Sequence, residues 1–234
     1  MKPTFTIFAL ITLALLSYGL YQALVVAPTE ATMGNVQRIF YYHVALAWTA
    51  MDLFLANFIA SIIYLLRRRP AADALAYAFA AIGLVYATAF LITGMLWARP
   101  VWGIWWTWDA RLTSALVLWL IYASYLMLRR YTTAGQNPVL ASVLAIFGAV
   151  DVVFVYMAIR WFRTQHPQPV IGGGEGSGID PRMFFALMVN VAAFHSLAGL
   201  LIALRYRLER VRQQVEEAHA MKAVGEAEAR GAPR

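Results

Sequence analysis

Six long apolar runs divide this 234-residue chain, and short polar segments separate them. The runs cover about residues 5–27, 39–66, 74–97, 112–128, 139–160 and 183–204. A helix needs roughly 20 apolar residues to cross a hydrocarbon core of about 30 Å. Only helices and closed barrels satisfy their backbone groups in lipid. The pattern therefore predicts an all-α integral membrane protein, a single domain of six transmembrane helices over residues 1–234.

The first run occupies the position of a signal peptide, but its length favours a retained span. The apolar part of a signal peptide is usually about 7–15 residues long, which is shorter than the run at 5–27. Pro28 follows the run and is a poor residue after a cleavage site.

Basic residues predict the orientation, because lysine and arginine favour the cytoplasmic loops. With the N-terminus inside, the inner loops and the tail hold most of the 19 basic residues. We therefore expect an N-in, C-in topology, with residues 205–234 as a cytoplasmic helical tail. The outer side then holds six arginines and no lysine: Arg38, Arg99, Arg111, Arg160, Arg163 and Arg182. Arginine suits carboxylates and phosphates, although solvated loop charge and headgroup contacts also explain such residues.

Composition agrees with this class, since 62% of the residues are hydrophobic and 13% are charged. Orientation signals and attraction to anionic lipid account for the net charge of +7, so we expect no nucleic-acid partner. The chain has no cysteine, which excludes disulfides, thiolate metal sites and cysteine nucleophiles.

The segment Trp102-Gly-Ile-Trp-Trp-Thr-Trp-Asp109 joins the third and fourth runs and faces outward in this topology. Indole rings settle where one side is apolar and the other is wet. Trp102, Trp105, Trp106 and Trp108 therefore predict a flat aromatic shelf for a large planar ligand. Asp109 offers two alternatives: it offsets positive charge on a bound ligand, or it caps the following helix.

Two outer histidines, His43 and His166, come from separate parts of the chain. Each alone is typical of an interfacial histidine, but together they supply the two imidazoles of a bis-histidine metal site. A bare metal ion is poorly supplied here. Haem b brings four ligands of its own and needs only two axial donors, and the outer arginines suit its propionates.

Three polar residues fall inside the spans: Asp52, Asp151 and His195. Such residues mark a ligand or proton pathway, or they pair with polar groups on a neighbouring helix. Asp52 lies nine residues after His43, so at about 100° per residue the two point to opposite faces and do not share a site. His219 belongs to the solvated tail.

The pattern Trp102-Gly103-x-x-Trp106-x-Trp108-Asp109, followed by Ala110-Arg111-Leu112-Thr113, is similar to the signature of the tryptophan-rich (WWD) haem-handling family. Members of that family serve cytochrome c maturation. The chain length, the six spans and the single Trp segment resemble the CcmC branch, over about residues 35–205. The resemblance implies a haem-handling protein of the bacterial inner membrane, not an enzyme, with its functional loops in the periplasm.

The resemblance also implies roles for particular residues. His43, which follows Arg38, and His166, which follows Trp161-Phe162, match the two axial haem ligands of the family. The Trp segment matches its haem platform, and Arg38 and Arg111 become the expected contacts to the propionates.

The implied function is to present haem on the outer face for transfer to a membrane-anchored haem chaperone. The implied partners are that chaperone, a small single-span subunit, the ABC transporter subunits of the maturation system, and the lipid bilayer. One alternative is a haem permease that uses His195, Asp52 and Asp151 as waypoints through the bundle. Another is a scaffold subunit that holds the partners.

Overall fold

The computed structural model describes residues 3–131, 138–167, 171 and 178–231. Six helices run along the chain: α1 Pro3–Tyr21, α2 Ile39–Arg67, α3 Pro70–Trp102, α4 Ala110–Tyr131, α5 Pro138–Trp161 and α6 Pro181–Gly231. All six, with α1 extended to Val26, are long and apolar enough to span a membrane. The predicted all-α membrane class and the number of spans are therefore confirmed.

From α2 onward, the helices are longer than the apolar runs because polar and basic residues extend their ends, whereas α1 ends at Tyr21, inside the first run. The run at 112–128 is short, yet α4 has 22 residues and ends with Arg129, Arg130 and Tyr131. The helix α6 has 51 residues, so it continues from the sixth span to Gly231. Residues 205–231 of the expected tail are thus helical.

The chain between α1 and α2 forms short turns. A π-helical turn, Gln22–Val26, extends α1, and a 3₁₀ turn, Asn35–Arg38, leads into α2. Between them the Glu30 carboxylate accepts hydrogen bonds from the backbone N–H groups of Thr32 and Met33. A carboxylate that closes a turn in this way competes with helix formation.

The core lies where α2 packs between α3, α5 and α6, with α4 against α5. Phe54 of α2 stacks on Tyr122 of α4, with ring centroids 3.7 Å apart and an interplanar angle of 10°. Gly83 and Gly148 allow this stack, because a Cβ atom at either position would lie within 3.0 Å of one of the two rings. Small residues at helix contacts are typical of membrane bundles, in which close backbone approach drives association.

Polar side chains hold α1 against α6. The Asn190 amide donates to the Gly19 carbonyl at 3.0 Å and to the Ala186 carbonyl at 2.8 Å. The hydroxyls of Thr12 and Ser196 lie 2.7 Å apart. These bonds replace the hydrophobic driving force that lipid does not supply between helices.

A buried cluster of charges joins α3, α4 and α6 at the end of the bundle opposite the Trp segment. The Arg129 guanidinium makes a two-pronged ion pair with the Asp73 carboxylate and lies 3.6 Å from the Glu209 carboxylate. All three side chains are almost fully buried. The Gln213 amide also donates to Asp73, at 3.0 Å. The cluster therefore fixes the start of the α6 extension to the bundle.

We expect Asp73→Ala to lower the free energy of unfolding by about 3–5 kcal/mol, because it removes the carboxylate that forms the two-pronged ion pair with the buried Arg129 charge. Asp73→Ala combined with Arg129→Met should lose less than Asp73→Ala alone, since both charges are then removed. Tryptophan fluorescence of the detergent-purified protein during denaturation measures the change. Lys222→Ala, which breaks an exposed pair with Glu226, is the control and should unfold as the parent does. Equal stability of Asp73→Ala and this control would contradict the prediction.

Candidate functional site

The Trp segment, residues 102–109, closes one end of the bundle, which we call the Trp end. The helix α3 ends at Trp102 because Gly103 takes a left-handed conformation, with φ of 80°, and its N–H group bonds the Arg99 carbonyl at 3.0 Å. The Arg99 guanidinium donates to the Gly103 carbonyl. The chain then leaves the helix and presents its indoles at the surface.

Asp109 caps α4. Its Oδ1 accepts hydrogen bonds from the N–H groups of Arg111 at 2.9 Å and Leu112 at 3.0 Å, the second and third residues of the helix. Its Oδ2 accepts from the Thr107 hydroxyl at 2.8 Å and from the Gln165 N–H group at 3.2 Å. The capping alternative for Asp109 is thus confirmed. The same carboxylate holds the loop that carries His166 against the Trp segment.

The four indoles of the Trp segment do not form one plane. Trp106 and Trp108 meet edge to face, with an interplanar angle of 74°, and Trp102 meets Trp97 of α3 at 86°. The prediction of a flat shelf is wrong in this respect, because aromatic pairs favour edge-to-face contacts over coplanar ones. Trp108 and Trp105 are the exposed members, 77% and 54% accessible, so these two rings are open to a ligand.

His43 packs against α3. Its Nδ1 atom lies 3.0 Å from the Phe90 carbonyl and 3.2 Å from the Thr93 hydroxyl. The Thr93 hydroxyl directs its own proton to backbone carbonyls of α3, so both groups accept from an Nδ1–H of His43. The Nε2 atom then carries the lone pair, and it has no hydrogen-bond partner among the described residues. A neutral imidazole arranged in this way is ready to bind a metal through Nε2.

His166 has a similar arrangement in the loop after α5. Its Nδ1 atom lies 2.9 Å from the Pro167 carbonyl, which leaves Nε2 as the acceptor. Burial lowers the pKa of His166 to about 3, and the nearby positive charge of Arg111 acts in the same direction. The imidazole is therefore neutral at pH 7. His43 contacts α3 close to the Trp segment, and Gln165, the neighbour of His166, bonds Asp109 of that segment, so both histidines lie at the Trp end.

The two predicted propionate contacts occupy different parts of the Trp end. The Arg111 guanidinium donates to the Val155 carbonyl of α5 at 3.0 Å and lies near both histidines. Arg38 instead donates to the Ala23 carbonyl at 2.5 Å and to the Asn35 side chain at 3.2 Å. In the described part of the chain, no hydrogen bond or ion pair joins Arg38 to Arg111. Each arginine keeps guanidinium N–H groups beyond those used by the protein.

The residues that orient His43 escaped the sequence analysis. Thr93 and the Phe90 carbonyl hold its Nδ1 atom, and Gly94 makes room for the ring: a Cβ atom there would lie 3.0 Å from its Cε1 atom. These residues lie in an apolar run about 50 positions after His43, and nothing in that run distinguishes them. Only the packing of α3 on α2 reveals them.

The polar residues inside the spans do not join this site. His195 Nε2 lies 2.9 Å from the Asp52 carboxylate, and its Nδ1 atom bonds the Val191 carbonyl and the Thr49 hydroxyl. Pairing with a neighbouring helix, one of the two alternatives, is confirmed for His195 and Asp52. Asp151 lies apart on α5, where its buried Oδ2 atom has no hydrogen-bond partner in the described part of the chain.

A metal ion held by protein ligands alone has no site in residues 3–131, 138–167, 171 and 178–231. No three histidine, aspartate or glutamate side chains gather there. What the Trp end offers is a pair of neutral imidazoles, exposed indoles and arginine N–H groups. These groups suit a ligand that brings its own equatorial donors to a metal. The Gly-rich run at 172–177 lies outside the described residues.

Comparisons with known proteins agree with this assignment. A family model, Heme exporter protein C, matches residues 1–221. Heme exporter protein C of Bradyrhizobium diazoefficiens is 35% identical over 213 residues, which are 91% of this chain and 81% of that protein. The protein of the same name from Haemophilus influenzae is 31% identical over 211 residues, 90% of this chain and 86% of its own length.

A plant protein is similar as well. A putative cytochrome c biosynthesis ccmC-like mitochondrial protein of Marchantia polymorpha is 31% identical over 193 residues, 82% of each chain. The resemblance that the Trp segment indicates is thus confirmed by matches that cover most of the chain. This chain belongs to the heme exporter protein C family.

Proposed function

We propose that this protein binds haem at the Trp end and presents it to a haem chaperone during cytochrome c maturation. Its family assigns it to haem handling in cytochrome c biogenesis and not to an enzyme class. The finer proposal is that haem b is the cargo, with its iron between His43 and His166. The indoles of Trp102, Trp105, Trp106 and Trp108 contact the porphyrin.

The arrangement of the histidines is the observation that carries this proposal. Both use Nδ1 to donate to a backbone carbonyl, and both leave Nε2 without a partner among the described residues. A carbonyl partner fixes the tautomer and the ring orientation, and it raises the basicity of the ligating nitrogen. Two histidines from distant segments share this state at one end of the bundle. A purely interfacial histidine has no need of it.

Charge and unpaired polar atoms at the Trp end also fit haem. Arg111 lies beside both histidines and offers N–H groups to a propionate, and Arg38 offers a second contact across the end of the bundle. Trp106 Nε1 and Thr113 Oγ1 are buried without a hydrogen-bond partner in the described part of the chain. A ligand with two carboxylates supplies acceptors for such donors. Asp109 holds the site together through its backbone contacts and places a negative charge near the iron.

The proposal requires the protein to lie in the bacterial inner membrane, with the Trp end facing the periplasm and both termini in the cytoplasm. The distribution of basic residues supports this orientation. The implied partners are the membrane-anchored chaperone, a small single-span subunit and the ABC transporter subunits, which would supply any energy. The lipid bilayer surrounds the bundle, and no nucleic acid takes part.

We expect His43→Ala and His166→Ala each to weaken haem binding, and the double variant to lose the bis-histidine spectrum. Single variants should retain some haem, because indole stacking and propionate contacts each contribute roughly 1–3 kcal/mol. Absorption spectra of the detergent-purified protein, oxidised and reduced, measure the Soret and α bands after haem titration. His219→Ala, in the exposed tail, is the control. A double variant that binds haem with the parent spectrum would contradict the proposal.

Thr93 and Gly94 hold the ring of His43 in place, and variants of these two residues test their role. Thr93→Val removes an acceptor from Nδ1, and Gly94→Ala places a methyl group against the ring. We expect each change to weaken haem binding about 10–100-fold, as for other groups that orient a metal ligand. Thr88→Val, on the same helix and away from His43, is the control, and haem titration gives the affinities. Unchanged affinity in both variants would mean that α3 does not orient the ligand.

The orientation of the protein in the membrane can be measured by thiol labelling, because the chain has no cysteine and an introduced one is therefore the only thiol. Gln165→Cys and Glu226→Cys each introduce one thiol at an exposed side chain. A membrane-impermeant maleimide should label Gln165→Cys in intact spheroplasts, and it should label Glu226→Cys only after permeabilisation. The reverse result would place the Trp end in the cytoplasm and contradict the proposed transfer to a periplasmic chaperone.

A further inference from the structure

The paired Asp52 and His195 side chains lie on the outer surface of the bundle, at the middle of the membrane span. Asp52 is near the midpoint of the 29-residue α2. Its side chain is 63% exposed and that of His195 is 38% exposed. Ionisable residues inside spans almost always face the bundle interior or a water-filled cavity. An exposed pair at this depth is therefore covered by something other than lipid.

The hydrogen bonds of the pair show what it lacks. The His195 Nδ1–H donates to the Val191 carbonyl and the Thr49 hydroxyl, and the second ring nitrogen shares a proton with Asp52 Oδ2. Both nitrogens of His195 are thus engaged. Asp52 Oδ1 has no hydrogen-bond partner in the described part of the chain. The pair therefore presents one free acceptor, which needs a donor from outside.

The surface around Asp52 has the spacing of a helix contact. Trp48, Asp52, Leu55 and Ile59 are all exposed and follow one another at intervals of four, three and four residues along α2. This spacing gives one continuous face, the seam that a second helix packs against. Every member except Asp52 is apolar or aromatic. We call this face the α2 seam.

We propose that the α2 seam is the docking site for a transmembrane helix of a different polypeptide, one that carries a hydrogen-bond donor at its midpoint. The apolar residues of the seam match the apolar body of such a helix, and the donor satisfies Asp52 Oδ1. Hydrogen bonds between spans stabilise helix association in lipid.

A second copy of this chain is a poorer occupant of the seam. In a two-fold dimer with parallel chains, each residue meets the same patch of the partner at the same depth. Asp52 would then face another Asp52, and the nearby His195 nitrogens are already engaged. The seam thus lacks a matching donor at its own depth. A heterologous helix supplies one.

The proposal is tested with the full chain in phosphatidylcholine vesicles. The protein carries a fluorescent donor on Arg67→Cys, an exposed position at the end of α2 and the only cysteine. The probes are two polyleucine transmembrane peptides that carry an acceptor dye. One has a single central asparagine and the other has leucine there. Energy transfer over a range of peptide-to-lipid ratios gives the two association constants.

We expect the asparagine peptide to associate about 5- to 30-fold more tightly than the leucine peptide, which corresponds to one hydrogen bond in a membrane. Asp52→Leu should remove this preference, and Asp52→Asn, which keeps an acceptor, should retain it. Asp151→Leu is the matched control, since it removes another carboxylate from the middle of a span and should leave the preference intact.

Three results would overturn the proposal: no preference for asparagine, a preference that survives Asp52→Leu, or energy transfer between copies of the protein that excludes the peptide. Haem titration of Asp52→Leu keeps the test separate from the proposed function and confirms folding. Its Soret spectrum should match the parent, because Asp52 lies nine residues from His43 along α2, on the opposite face of the helix.

Discussion

The Asp109 carboxylate is the contact on which the candidate site depends. One oxygen caps α4 and thereby sets where the Trp segment ends, and the other accepts the Gln165 N–H group of a loop 56 positions away. One carboxylate thus combines a local role in helix capping with a long-range role in assembling the site.

The two histidines that we propose as haem ligands reach the same state by different routes. His43, on α2, is held by α3, which packs against α2 more extensively than any other helix does. His166 is held by a carbonyl of its own loop. Their supports differ, but the result is the same: a neutral ring with Nε2 available. The proposed function requires release as well as binding, and the proposed pair of protein ligands suits that requirement better than a closed cage.

The charged groups elsewhere in the bundle form two clusters that differ in burial. Asp73, Arg129 and Glu209 are buried together at the end opposite the Trp segment, where opposite charges pair: Asp73 binds Arg129 in a two-pronged ion pair, and Glu209 lies 3.6 Å from Arg129. Asp52 and His195 satisfy each other only in part, at an exposed position in the middle of the span. In lipid, a polar group that is neither paired nor covered is costly. The buried cluster finds its partners within this chain, whereas the exposed pair leads us to propose a partner from another polypeptide.

The apolar runs by themselves determined six helices and their order, because in a bilayer only the helix satisfies every backbone group of a single segment. The Trp segment, together with His43 and His166, also identified the family and the candidate ligands from residue type and position. The sequence did not reveal that the indoles meet edge to face, that Asp109 holds the His166 loop, or that Thr93 and Gly94 orient His43. Each of these depends on contacts between segments far apart in the chain, and only tertiary packing decides which apolar faces meet.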